Sequence, residues 1–230
     1  MVEALVLGMV AQSSLLLSGL LVYWVRIPTK VVGILAGFGA GALISAIAFD
    51  LIPEAELLGP WQLVLWMLLG AAVLLAGDAI VERRFGDEGA GGAMGIVVGS
   101  VVDGVPESLI FGIQIAAGSA VSAGFLAAVL VSNVPQAIAP SADLANAGWS
   151  AGRTARLWLA VVASCGVAAA LGWLGATAFP GANGDRAAAL AAGGLLAMLT
   201  NSLMPFAYER GGELAGVATV IGFCLAIVAQ

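Results

Sequence analysis

Long runs of apolar residues recur from one end of the chain to the other, separated by short stretches that carry charges, prolines or glycines. A helix needs roughly 20 apolar residues to cross the hydrocarbon core of a bilayer. The runs reach this length, so the pattern predicts eight transmembrane helices joined by short connections. Their approximate bounds are 3–24, 31–55, 61–84, 93–117, 122–147, 154–179, 186–208 and 213–230.

The composition supports the same fold class. Of the 230 residues, 61% are hydrophobic and only 10% are charged, with a mean hydropathy of +1.07, whereas soluble domains carry about 25% charged residues. We therefore expect an all-α polytopic membrane protein, with residues 1–230 forming a single transmembrane domain whose main partner is the lipid bilayer. The net charge of −6 and the lack of a basic patch exclude a nucleic-acid partner.

The basic residues predict an orientation, because Lys and Arg accumulate in cytoplasmic loops. With eight spans, every basic residue except Arg186 falls on one side of the membrane. This bias places both termini outside the cell and indicates a multi-pass protein of the cell membrane. The residues on the cytoplasmic side are Arg26, Lys30, Arg83, Arg84, Arg153, Arg156 and Arg210.

Two acidic residues lie in the middle of the fourth predicted span. Asp103 and Glu107 are four residues apart, a spacing that puts both carboxylates on one face of a helix. Pro106 cannot donate a backbone hydrogen bond, which leaves the carbonyl of Val102 free. Because charge inside hydrocarbon is costly, intramembrane acids are functional candidates. Carboxylates beside a free carbonyl suit a hard cation.

Similar proline-containing phrases recur in three other predicted spans, at 50–55, 132–137 and 201–207. Interrupted helices that belong to internal repeats build the sites of many transporters, so these phrases favour a transport site. Simpler interpretations stay open. Proline in a membrane helix often only shapes packing, above all in the seventh span, and Glu54 fits an ordinary interfacial acid equally well. Cys165 and Cys224 lie in apolar runs and fit small core residues.

Taken together, these features resemble the ZIP (Zrt-/Irt-like) family of metal transporters, in particular its compact prokaryotic branch. Members of that family are similar in having eight helices, both termini outside, and proline phrases in the fourth and fifth spans. The resemblance covers nearly the whole chain. It implies a ZIP-like bundle with proline-kinked helices 4 and 5 at its centre, in a bacterial inner membrane.

The resemblance also implies a set of metal ligands, although this chain is a divergent member. By position, the family's ligands fall on Asp50, Asp103, Gly104, Glu107, Ser132, Asn133, Gln136 and Asn201 or Ser202. The chain has no histidine, and glycine offers no side chain to a metal. The remaining oxygen ligands favour Mn²⁺, Mg²⁺, Ca²⁺ or Fe²⁺, while Zn²⁺ and Cd²⁺ stay open as cargo. We expect no tightly bound cofactor.

The leading hypothesis is a secondary transporter that moves a divalent metal cation inward, the direction resting on the resemblance alone. One alternative is a ZIP fold adapted to a non-metal solute or to protons, with Asp103 and Glu107 as a relay pair. Another is a ZIP-like protein that transports nothing. An intramembrane enzyme with Asp50 and Asp103 as a dyad is disfavoured, because no nucleophile motif accompanies them. The glycine-rich faces permit a homodimer without requiring one.

Overall fold

We describe the protein from a computed structural model that covers residues 1–85, 90–118, 121–178 and 184–228. Within these ranges the side chains of 81, 82, 84, 85, 90–99, 102 and 103 are left undescribed. The described chain is helical almost throughout and contains no strand. These features are those of an all-α protein.

Within the described ranges, eight helical segments follow one another along the chain, each within about three residues of a predicted apolar run. We number them α1 to α8. They are α1 (Val2–Leu21), α2 (Thr29–Glu54), α3 (Pro60–Phe85), α4 (Ala90–Ala117), α5 (Ala123–Asn146), α6 (Ala151–Ala178), α7 (Gly184–Gly211) and α8 (Glu213–Val228).

Six of these helices are long and apolar enough to cross a membrane: α1, α2, α3, α5, α6 and α7. In the described part of α4 and in α8, the apolar stretches are shorter, at Gly104–Ala117 and Glu213–Val228. Several long apolar helices in one chain are compatible with a multi-pass membrane protein. Among the six, α2 is the most enclosed, with 67% of its apolar window buried, and α3 the least, with 11%.

Neighbouring helices run in alternating directions, as their short connections require. The connections α1–α2, α5–α6 and α7–α8 therefore lie at one end of the bundle, which carries Arg26, Arg153 and Arg210. At this end the Tyr23 hydroxyl is 2.6 Å from Thr154 Oγ1 and joins α1 to α6. We call this the basic end. The other end of the bundle, where α2 and α4 terminate, is called the opposite end.

Small residues bring the helix backbones into direct contact, as the glycine-rich sequence indicated. In the α2–α8 pair, a Cβ added at Gly222 would overlap the carbonyl of Phe38, and one added at Gly41 would overlap that of Thr219. Close backbone approach at small residues is how membrane helices pack without a hydrophobic driving force between them. The same device joins α3 to α7 and α4 to α6.

The four proline phrases take two different local structures. Pro106 and Pro135 lie inside continuous α-helix. Pro53 and Pro205 instead follow π-helical turns, Ile47–Leu51 in α2 and Leu199–Leu203 in α7. A proline clashes with the carbonyl four residues earlier, and a π turn widens the helix at that point. The second and seventh helices thus share one interruption, at equivalent places in the sequence pattern.

The main apolar core lies where α2, α4, α5 and α7 meet. Its largest members are Phe111 and Phe125, both fully buried, with ring centroids 4.9 Å apart. The direct contact between α4 and α5 is small, because α5 packs mainly on α1 and α2 and α4 mainly on α6. Side chains of α1 and α2 therefore have access to the space between α4 and α5.

Candidate functional site

Glu107 is the only carboxylate among the described side chains that is completely buried, at 1% exposure. It lies well inside α4, more than two turns from Ala117. Its hydrogen-bond partner is the side-chain amide of Gln12 in α1, whose Nε2 donates to Oε2 at 2.9 Å. A buried carboxylate without a cationic partner is costly, so this position is the first candidate for a function.

Gln12 also contacts the fifth helix. Its Oε1 accepts a hydrogen bond from Asn133 Nδ2 at 2.8 Å, and Gln12 and Asn133 are 0% and 2% exposed. One amide therefore links Glu107 of α4 to Asn133 of α5. We call Gln12, Glu107 and Asn133 the inner cluster. Each residue lies near the middle of its helix, so the cluster lies deep within the bundle.

Gly104 packs against both Gln12 and Cys165. A Cβ added at Gly104 would lie 3.4 Å from Gln12 Cδ and Oε1, and 2.9 Å from Cys165 Sγ. The first distance is an ordinary contact and the second is too short, so a larger residue would collide with the thiol.

The other predicted ligands of the fifth and seventh spans do not join the inner cluster. Ser132 is buried, but its hydroxyl donates to the Val129 carbonyl of its own helix at 3.0 Å. Gln136 is half-buried and makes no side-chain hydrogen bond within the described part of the chain. Asn201 is exposed, in the π turn of α7. The Asp103 side chain is outside the described residues.

Asp50 lies nearer the opposite end of the bundle and belongs to a second polar group. Its Oδ1 accepts a hydrogen bond from Ser122 Oγ at 2.9 Å. One turn later in α2, Glu54 Oε2 accepts from Gln114 Nε2 of α4 at 2.8 Å. We call Asp50, Glu54, Gln114 and Ser122 the outer cluster. It joins the end of α2 to the end of α4 and the start of α5.

Apolar side chains separate the two clusters. Along α4, Phe111 lies between Glu107 and Gln114, two positions about 10 Å apart by helix rise. Along α5, Phe125 lies between Ser122 and Asn133. The two rings are in contact and fully buried, so an apolar layer lies between the clusters along these two helices.

The described side chains do not form a complete metal centre by themselves. Among them, no three from Cys, Asp and Glu come together closely enough to hold a metal ion. The inner cluster offers one carboxylate and two amide oxygens, which is an all-oxygen set suited to a hard cation. Such a cation would need further oxygen ligands from water or from residues beyond this set.

Glu107 and Asn133 are among the ligands predicted from the sequence, but Gln12 is not. The available signal was a run of three polar residues, Gln12, Ser13 and Ser14, that interrupts the first apolar run. A glutamine in the middle of a membrane span is unusual enough to mark a buried contact, since its amide requires partners away from water. The sequence could not show that the contact is with Glu107.

The sequence matches no protein-family model and no curated protein at significant similarity. The fold and the two polar clusters define the chain as an all-α protein with the character of a multi-pass membrane protein. Its activity must therefore be inferred from the side chains themselves.

Proposed function

We propose that this protein is a ZIP-like secondary transporter with eight membrane spans that carries a divalent metal cation across the cell membrane. The observation that supports the proposal is Glu107, a fully buried carboxylate whose hydrogen-bond partner is a neutral amide. Intramembrane carboxylates mark ion pathways in membrane proteins. The alternating helices and the shared interruption of α2 and α7 are also features of transporters with internal repeats.

In this proposal, Gln12 stabilises the buried Glu107 carboxylate when no cation is bound to it. An unpaired carboxylate in the interior is strongly disfavoured, and the Gln12 N–H group supplies one partner when no cation is bound. An incoming cation would displace this N–H group from Glu107. Rotation of the amide would then turn Gln12 Oε1 towards the cation, with the Asn133 oxygen as a further ligand.

The cargo in this proposal is a hard divalent ion such as Mn²⁺ or Mg²⁺. Oxygen ligands from carboxylates and amides suit these ions, whereas Zn²⁺ prefers nitrogen and sulfur. Cys165 is buried beside Gly104 and is a soft ligand close to the inner cluster. Inward transport in a bacterial inner membrane is part of the proposal and comes from the ZIP resemblance alone.

The test is Mn²⁺ uptake into proteoliposomes that contain the purified protein. We expect uptake by the wild type and loss of uptake to the level of empty liposomes in Glu107→Gln, which keeps the shape and removes the charge. Glu56→Gln is the matched control, because Glu56 is an exposed acid near the end of α2. Equal uptake by all three proteins would remove Glu107 from the pathway.

A second candidate function is transport of protons or a non-metal solute on the same fold. The observation that favours it is the absence, among the described side chains, of any three acidic or thiol groups placed to hold a metal. In that case the wild type would move no divalent ion in the liposome assay. A Glu107-dependent acidification of the liposome interior, without added metal, would identify protons as the cargo.

A further inference from the structure

The outer cluster contains two buried oxygen atoms that accept no hydrogen bond from the described residues. They are Asp50 Oδ2 and Gln114 Oε1. Buried polar atoms are almost always paired, so each unpaired atom calls for an explanation. A carboxylate oxygen and an amide oxygen are both acceptors. The missing partner is therefore a donor or a cation.

Gln114 is the more informative of the two residues, because its amide is held in one orientation. The side chain is only 4% exposed, and its Nε2 donates to Glu54 Oε2 at 2.8 Å. The oxygen of the same amide group, Oε1, is buried and has no hydrogen-bond partner among the described residues. Exchanging the nitrogen and oxygen would place two acceptors against each other and lose the hydrogen bond.

The charges of the outer cluster have the sign and size for a divalent ion. Asp50 and Glu54 interact electrostatically with one another, and Asp185 of α7 lies close enough to add to the field at Glu54. The hydrogen-bond partners of the two α2 carboxylates, Ser122 and Gln114, are both neutral. When both are ionised, these carboxylates carry two negative charges, with no basic hydrogen-bond partner among the described residues.

We propose that Asp50, Glu54 and Gln114 form a second cation site, which holds a partly hydrated divalent ion at the opposite end of the bundle. Hard divalent ions are bound in this way by one or two carboxylates, an amide or backbone carbonyl, and retained waters. Ser122 is a positioning residue, because its hydroxyl fixes Asp50 while also capping the start of α5 through Phe125 N.

If the proposed transport function is correct, this site captures the cation before it reaches Glu107. Along α4 and α5, the buried rings of Phe111 and Phe125 lie between the two clusters, and the clusters share no residue. Binding at the outer cluster does not require Glu107, and this independence separates the two proposals experimentally.

The experiment is Mn²⁺ binding to the purified protein in lipid nanodiscs, measured by equilibrium dialysis. We expect Glu54→Gln and Gln114→Leu each to weaken the binding of one Mn²⁺ at least tenfold, and Glu107→Gln to leave that ion bound. Glu56→Gln is the control for general loss of surface charge. Ser122→Ala should weaken the same ion by a smaller factor, and size-exclusion chromatography reports whether each variant is folded.

The second site would be overturned if the folded Glu54→Gln and Gln114→Leu proteins bound Mn²⁺ as the wild type does. Water would then be the partner of the two unpaired oxygens. That result leaves the uptake assay on Glu107 unaffected. Conversely, the wild type could take up no Mn²⁺ and still bind one ion through Glu54. That result would support this site and refute the transport function.

Discussion

At the scale of single residues, one amide carries the polar interactions of the inner cluster. Gln12 donates to Glu107 and accepts from Asn133. Its removal leaves the buried Glu107 acceptor without this donor, whereas Asn133 Nδ2 still donates to the Ala11 carbonyl at 3.4 Å. An unsatisfied buried group costs about 1–3 kcal/mol. The inner cluster is therefore sensitive to any change that removes only one of its members.

We expect Gln12→Leu to lower the free energy of unfolding by about 1–3 kcal/mol for this reason. The double variant Gln12→Leu with Glu107→Leu should recover much of the loss, because no carboxylate is left without a partner. Thermal unfolding in detergent measures both. Additive losses in the double variant would show that the two side chains do not depend on each other.

Gly104 yields a second prediction at this scale. A methyl group there meets Cys165 Sγ at 2.9 Å and the Gln12 amide at 3.4 Å. Overpacking of this kind costs about 1–3 kcal/mol. Gly104→Ala should therefore lower the melting temperature, and the added change Cys165→Ala should restore part of it. A fully stable single variant would mean that the thiol and the amide move aside freely.

The sequence could be interpreted to the level of candidate residues but not to their partners. The position of Glu107 in an apolar run marks it without any structure, since charge in hydrocarbon requires a reason. Its partner lies in α1, far away in the chain, and nothing in the spacing of polar residues links the two. Ser132 shows the converse, because its hydroxyl bonds within its own helix.

At the scale of elements, helix pairs are held by backbone contacts at glycines. Such contacts are specific to particular positions, because another glycine on the same helix can lie where no neighbouring helix approaches. In α8, a Cβ at Gly222 would overlap the Phe38 carbonyl, whereas a Cβ at Gly216 meets nothing within 4 Å. The two positions thus form a matched pair for testing the α2–α8 interface.

Gly222→Val should lower the melting temperature, by an overpacking cost of about 1–3 kcal/mol or more, whereas Gly216→Val should have little effect. Both variants add the same side chain to the same helix, so differences in helix propensity cancel. The measurement is thermal unfolding of the two purified proteins in one detergent. Equal losses would contradict the close packing of α2 against α8.

Helix bounds were predictable from the sequence, whereas helix neighbours were not. Apolar run length determines where a membrane helix begins and ends, and all eight helical segments were anticipated in this way. The ZIP resemblance implied that α4 and α5 lie at the centre of the bundle, which stays a prediction. The direct contact between these two helices is small, which no pattern in the sequence had indicated. Which helices become neighbours depends on which glycine-rich helix faces fit against each other, and many helices of this chain carry similar glycine-rich faces.

At the scale of the whole molecule, the alternating helices place the two clusters at different depths. The outer cluster lies at the ends of α2 and α4, and the inner cluster lies at mid-helix, with the aromatic pair between them. Most basic residues lie at the basic end, beyond the inner cluster. Eight spans with both termini outside would make the opposite end the outer one.

Single cysteines test this topology directly. In a background with Cys165→Ala and Cys224→Ala, we expect Gly59→Cys to react with a membrane-impermeant maleimide added outside intact cells. Gly152→Cys should react only after the membrane is opened, because it lies at the basic end. Both positions are open, with no atom within 4 Å of an added Cβ. Labelling of both from outside would refute the predicted span count.

The central claim is that a divalent cation takes the place of the Gln12 N–H group at Glu107. Anomalous diffraction from crystals soaked in Mn²⁺ tests it most directly. We expect a manganese peak beside the Glu107 carboxylate, with the Gln12 amide turned away from its 2.9 Å hydrogen bond. No peak at Glu107, together with an unchanged Gln12–Glu107 hydrogen bond in crystals that bind Mn²⁺ elsewhere, would contradict it.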